Sequence, residues 1–354
     1  MLPDQDRHNR IRRSLALALN HEWPQLERTR KRVARLPTVR ILDEPAATDM
    51  PIVATVATDG GEGRLSLAPI SIQIVRVADN RGVVHFEEFV PQSLRPDEVM
   101  RYFFASDERF QRFLRYLGIS LEDLLPENDF QKSHLLAMLR ELLEWAALLK
   151  LAAQKQPTLL LRDGLLRSVM LRDRVFQALR RRFEELTTEH GHLLVGAAKR
   201  SSVVNYLTVA FGVNETFQAS LPAYVCIPPE LEREAAPAQY RWIGDRAMGQ
   251  LHLAKLDTGE NVPVLPVDVA AWQQHRIDDT MRYLRRSARG SFPKRGYPQE
   301  LLMAHEYAKL SSLEIEMLES ELLRELATRE PSVAHQASAL MLLGRRMVED
   351  LDEE

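Results

Sequence analysis

An α/β fold, a mixed sheet flanked by helices, is predicted for this chain of 354 residues by three observations. Short β-rich runs separated by glycine-containing links occupy residues 51–90. Long helical patterns follow, interrupted by two apolar runs of strand length, Leu159-Leu160-Leu161 and Leu193-Leu194-Val195. Helix and strand therefore alternate through the middle of the chain, the pattern of an α/β sheet. A hydrophobic content of 45% is ample for one large domain or two modest ones.

Residues 5–36 read as a helix, with Leu15, Leu19, Trp23, Leu26, Val33 and Leu36 spaced among charges and Pro24 marking a kink or break. Residues 1–40 are set apart as an N-terminal helical arm, and 41–354 as one elaborated domain, because no repeat or low-complexity linker divides the remainder. Strands are expected at 51–58, 66–78 and 82–90. The links Asp59-Gly60-Gly61-Glu62-Gly63 and Asp79-Asn80-Arg81-Gly82 are short, so these strands form an antiparallel meander. Residues 96–155 turn helical, the longest piece being 131–155, before a strand at 158–162, a helix at 168–190 and a strand at 192–198. Further strands at 223–227, 239–243, 250–256 and 262–266 precede helices at 268–286, 299–328 and 332–350. Three early strands followed by helix, strand, helix and strand is the element order of a ribonuclease-H-like fold. In that fold the first and fourth strands lie side by side.

No apolar run approaches the ~20 residues of a membrane span. The start, MLPDQDRHNRIRRS, lacks the apolar core of a secretory signal, so the cytoplasm is the expected compartment. The single Cys226 excludes an internal disulfide and multi-cysteine zinc or iron–sulfur sites. A metal would need oxygen and imidazole ligands, a set that suits Mn²⁺ or Mg²⁺. Net charge is only −3, but residues 1–40 hold ten Arg/Lys against four Asp/Glu, and a second basic run extends from Arg285-Arg286 through Arg289 to Lys294-Arg295. Such clusters are either solvated surface or contacts for phosphates. There is no phosphate-binding loop ending in Gly-Lys-Ser/Thr, so the chain is not expected to hydrolyse ATP by itself.

Asp59 and Asp163 each follow a β-rich run and precede a glycine. An Asp so placed is either a solvated turn residue or lies at the sheet rim, where open α/β folds tend to place their sites. Two carboxylates brought together on neighbouring strands repel unless a divalent cation lies between them. A third acid is expected with them. Glu144 is the only non-apolar residue between Leu142 and Leu149, and burying it is costly unless it is paired or bound to a cation. Glu141, one turn earlier, competes for that place. Lys199 stands just past the fifth strand, Tyr297 sits in Arg295-Gly296-Tyr297-Pro298, and His305 lies on the helix that follows. A lone helical His is either a packed residue or a ligand.

This ordered series resembles the NurA family of DNA-repair nucleases, and the resemblance spans residues from about 50 to 310. It implies a ribonuclease-H-like core with an Asp-Gly motif closing the first strand, a helical Glu, a second Asp-Gly, a Lys after the next strand, and a late Tyr followed by His. These fall on Asp59, Glu144, Asp163, Lys199, Tyr297 and His305. The nineteen residues from Glu144 to Asp163 and the eight from Tyr297 to His305 suit the family. By the same resemblance, Asp59, Glu144, Asp163 and His305 hold one or two Mn²⁺ or Mg²⁺ ions. Lys199 would neutralise a phosphate oxygen, and Tyr297 would hydrogen-bond the phosphate or stack on a base. It further implies 5′-to-3′ exonuclease action in DNA end resection, alone or with single-strand endonuclease activity, a homodimer, and a HerA-type hexameric ATPase as partner. Two positions depart from the family pattern: Gly61 and Leu165 stand where a small hydroxyl residue is usual. The altered loop after Asp59 is the feature that supports a rival reading, a catalytically weakened DNA-binding or adaptor subunit of such an ATPase; the nuclease is the primary reading.

Overall fold

The computed structural model describes residues 5–36, 39–42, 52–67, 70–199, 205–214, 216–218, 220–235 and 246–340. In chain order the first elements are α1 (Gln5–Val33), β1 (Arg40–Ile41), β2 (Ala54–Leu67), β3 (Ile70–Asp79) and β4 (Val84–Pro91). Then come α2 (Pro96–Ser106), α3 (Glu108–Leu117), α4 (Asp129–Ser133), α5 (Leu135–Ala152), β5 (Thr158–Asp163) and α6 (Asp173–His190). Next are β6 (Leu193–Ala197), α7 (Asn205–Val213), β7 (Ala223–Cys226), α8 (Pro229–Ala235), β8 (Gly249–Lys255) and β9 (Val264–Ala270). Helices α9 (Ile277–Ala288), α10 (Gln299–Ala308) and α11 (Ser312–Arg329) follow. Among the described residues no helix is long and apolar enough to cross a membrane. The chain divides into two compact units: one comprises Met1–Thr55, Asp163–Val169 and Leu193–Gln299, the other Val56–Arg162, Met170–His192 and Glu300–Glu354.

In the second unit β2, β3 and β4 form the expected antiparallel meander, with Asp59 opposite Ala78 and Val77 opposite Phe86. Strand order is β5-β2-β3-β4, so the fourth strand lies beside the first, as the ribonuclease-H-like order requires. Ile74, Val75, Val77 and Ala78 of β3 are fully buried, on both faces of the strand, and α5 packs against it. Helix α5 can do this because it is apolar almost all round, from Met138 to Ala152. Its Trp145 meets Phe176 and Phe183 of α6 edge-on.

The first expected link is not a link. Strand β2 continues through Asp59-Gly60-Gly61-Glu62-Gly63 to Leu67, and none of these glycines has a positive φ. Their lack of side chains serves close packing instead. A Cβ on Gly60 would stand 2.5 Å from Glu144 Oε1 and 2.7 Å from Arg140 Cγ. One on Gly61 would collide with the carbonyl oxygen of Ala308, and one on Gly63 with Leu310. No side chain of any kind fits at Gly61 unless that backbone moves, which accounts for one departure from the family pattern. The second link does turn, with Gly82 at φ 79° and the Asp79 carboxylate accepting from the amides of Arg81 and Val83.

The first unit has strand order β1-β7-β8-β9-β6, antiparallel through β1, β7, β8, β9 and β6 in turn. Its core gathers Val33 of α1 with Leu207, Phe211, Leu231, Leu251 and Leu253. Helix α1 runs through Pro24 without a break. Pro24 forfeits only the bond to the Asn20 carbonyl, and both residues are exposed, so water can replace it. Strand β9 extends to Ala270, and a 3₁₀ turn over Ala271–Arg276 precedes α9, where one helix over 268–286 is expected. Expected helix 299–328 is two helices, because Ser311 and Glu314 form a capping box that starts α11 afresh. Expected strand 239–243 lies outside the described residues, as does the expected helix beyond residue 340.

Candidate functional site

Within the second unit, Asp59 sits in the middle of β2 and is 7% exposed. Its Oδ1 accepts the amide of Gly60 at 2.8 Å, and its Oδ2 lies 2.6 Å from Nδ1 of His305 on α10. The two residues are 246 positions apart in the chain. A carboxylate oxygen and an imidazole nitrogen set side by side form a donor pair that one divalent cation can accept. The close approach of α10 that puts His305 there depends on Gly61, which lets the Ala308 carbonyl reach the strand.

Glu144 projects from α5 toward Gly60 and is 6% exposed. Its Oε2 pairs with Arg162 Nη2 at 3.0 Å and its Oε1 with Arg140 Nε at 3.5 Å. Arg162 is itself buried, with its guanidinium 4.5 Å from the centre of the Trp145 ring. Glu141 is half-buried and accepts instead from Trp145 Nε1. Glu144, not Glu141, is therefore the carboxylate buried against β2. Burial pushes the Glu144 carboxyl up to about 7, opposed by Arg162 and Arg140 and reinforced by the charge of Asp59.

That raised value makes a prediction for the metal-free protein. Below about pH 4.5 Glu144 is protonated in both folded and unfolded chains and contributes nothing. Between about 4.5 and 7 the unfolded chain ionises first, so stability falls with rising pH, and the loss is complete above about 7. Relative to Glu144→Gln, the wild type should lose on the order of 3 kcal/mol at most across this window. Urea denaturation at pH 5 and pH 8 in EDTA checks this, and parallel changes in the two proteins would contradict it.

Within the first unit, Asp163 ends β5, with Oδ2 accepting from Lys199 Nζ at 2.9 Å and Oδ1 from the Tyr297 hydroxyl at 3.0 Å. The Lys199 ammonium also lies 5.5 Å from the centre of the Tyr297 ring. The three are thus gathered from distant parts of the sequence. Gly164, at φ 115°, donates to the Ala197 carbonyl, and the bare Cα of Gly196 admits that turn. Leu165, the second departure from the family pattern, is buried in the core with Ala198 and Leu207.

Sequence reasoning missed what anchors this segment. Buried Arg167 makes a two-pronged pair with Asp268 of β9, at 2.7 and 2.6 Å, and also meets Glu232 of α8. It ties the residues just after Asp163 to the sheet. The available signal was an acid inside the apolar run Val267-Asp268-Val269 and an Arg inside Leu165–Met170. Arg162 was signalled likewise, as a charge closing a run of leucines.

A family model, the NurA domain, matches residues 53–310. Among solved structures, the NurA nuclease from Sulfolobus solfataricus is similar at 15% identity and a TM-score of 0.49, over 93% of this chain and 98% of that one. A second NurA crystal structure is similar at 12% identity and a TM-score of 0.51, over 94% and 100%. A third, of NurA bound to dAMP and manganese, is 11% identical with a TM-score of 0.42, over 94% and 100%. At these identities the second likeness shows a shared fold. Comparison with curated proteins finds no sequence match.

Proposed function

The chain belongs to the NurA family of metal-dependent nucleases, and from that premise we propose a 5′-to-3′ DNA exonuclease that resects ends with a HerA-type hexameric ATPase. Asp59, Glu144, Asp163 and His305 position one or two Mn²⁺ or Mg²⁺ ions in this reading. The observation that carries it is the ordering of the family residues into preformed sets. Asp59 meets His305, and Asp163 meets both Lys199 and Tyr297, across sequence gaps of 246, 36 and 134 residues.

Bound ions of this kind activate a water and stabilise the leaving 3′-oxygen of the scissile phosphate. The protein's own groups do the rest. A carboxylate has about four lone-pair sites, so Asp163 can keep its bonds to Lys199 and Tyr297 while serving as a ligand. That arrangement fixes a cation and a phenol beside a metal ligand, where a nonbridging phosphate oxygen would lie. The Asp59 contact orients the His305 ring, leaving Nε2 for a proton or a ligand. The packing reasons for Gly61 and Leu165 favour this reading over the weakened adaptor, since neither position has to supply a ligand.

A homodimer acting in the cytoplasm completes the proposal. Mn²⁺-dependent digestion of a linear duplex labelled at either the 5′ or the 3′ end tests it. Labelled mononucleotide should appear at once from the 5′-labelled strand and late from the 3′-labelled one. The reverse order would overturn the polarity, and bound but uncut DNA would favour the adaptor.

A further inference from the structure

The loop between α9 and α10 carries a side chain that the proposed chemistry does not use. Phe292 is 80% exposed, more than any other large hydrophobic residue among those described. The loop around it is fastened on both sides. Ser291 Oγ donates to the carbonyls of Ala288 and Lys294, at 2.9 and 2.8 Å, and the Phe292 amide donates to Gln299 Oε1 at 2.9 Å. The buried carboxylate of Asp257 accepts from Arg295 Nε at 2.7 Å and from the Gly290 amide at 3.3 Å. An aromatic ring is thereby held out in water by hydrogen bonds to its own loop, at the cost of leaving its apolar surface uncovered.

The surroundings select a class of ligand. From Arg285 to Arg295 the chain holds five cations and no acid. Arg295 pairs with Asp257 and Arg285 donates to the Leu42 carbonyl. Arg286, Arg289 and Lys294 lie on the exposed surface. A flat apolar ring among exposed cations matches an unpaired nucleobase on a phosphate backbone. An apolar protein face would gain from the ring but not from the cations.

Phe292 stands five residues before Tyr297, so the two Cα atoms are at most ~18 Å apart along the chain. We propose that Phe292 is a stacking platform for an unpaired base of the DNA strand, a few nucleotides from the phosphate engaged by Lys199 and Tyr297. The proposal rests on the nuclease reading and assigns to Phe292 a hold on the unpaired strand.

The test uses 5′-end oligonucleotides with 2-aminopurine at successive positions, bound by the full chain in EDTA so that nothing is cut. Wild type should change the fluorescence at one or two adjacent positions. Phe292→Ala should abolish that change and weaken single-strand binding by roughly 10-fold or more, the scale of one lost stacking contact. Phe292→Trp should restore both, and all three proteins should melt together because the ring is exposed. Unchanged fluorescence and affinity in Phe292→Ala, with wild type cutting normally in Mn²⁺, would overturn the platform and leave the nuclease reading intact. Wild type that neither binds nor cuts would defeat the nuclease reading itself. A change of sedimentation with unchanged DNA affinity would reassign the ring to a protein contact.

Discussion

Asp59→Asn and Asp163→Asn should each lower Mn²⁺-dependent cleavage of a linear duplex by about 10³-fold or more while DNA binding in EDTA persists. Asn keeps the shape of the side chain and removes the charge that a hard divalent ion requires of its ligands. The ion's stabilisation of transition-state charge is worth several kcal/mol, and each 1.36 kcal/mol is about a factor of ten in rate. Stability should respond differently in the two variants. Asp59 lies close enough to the buried Glu144 carboxyl to raise it, so neutralising Asp59 relieves a repulsion in the metal-free protein. Asp163 is paired with Lys199, so neutralising it removes an attraction. The melting temperature in EDTA should therefore hold or rise for Asp59→Asn and fall slightly for Asp163→Asn. Cleavage within tenfold of wild type by either folded variant would remove that carboxylate from the metal set. Loss of cleavage together with loss of DNA binding would point to misfolding or to a DNA path through the mutated site.

Both acids were legible because a carboxylate at the close of an apolar run is conspicuous, and the meander with its fourth strand beside the first followed from element order. What surrounds Asp59 was not. Glycines at 60, 61 and 63 give the same signal for a turn as for a strand on which helices press closely. Only the positions of Arg140, Ala308 and Leu310 distinguish the two. Strand β9 was partly assigned to a helix because Val267, Asp268 and Val269 are all buried, which erases the alternation that marks a half-buried strand. Its acid could be read as anomalous, but its partner Arg167 lies 101 residues earlier, beyond any local pattern. By contrast the box Ser311-x-x-Glu314 was present in the sequence and marks the start of α11.

His305→Ala should cut Mn²⁺-dependent turnover by about 10²-fold or more, the scale of losing an acid–base group or ligand. The alternative is a packed helix residue, and the two accounts disagree about stability. The His305 side chain is 41% exposed and its recorded polar contact is to Asp59, so truncation opens no core cavity. Its neighbours on the buried side of α10, Leu301, Leu302, Ala304 and Ala308, are untouched. The melting temperature should therefore move by only about 1 kcal/mol's worth, the range of a partly exposed polar contact. His305→Asn, which can hydrogen-bond or offer a ligand oxygen but cannot move a proton, separates proton transfer from the other roles. If His305 orients Asp59 or binds the ion, Asn should restore part of the activity; if it moves a proton, Asn should be as slow as Ala. Cleavage and melting are to be measured on the same preparation. A large fall in melting temperature with near-normal cleavage per folded molecule would make His305 structural and leave a centre built from carboxylates alone.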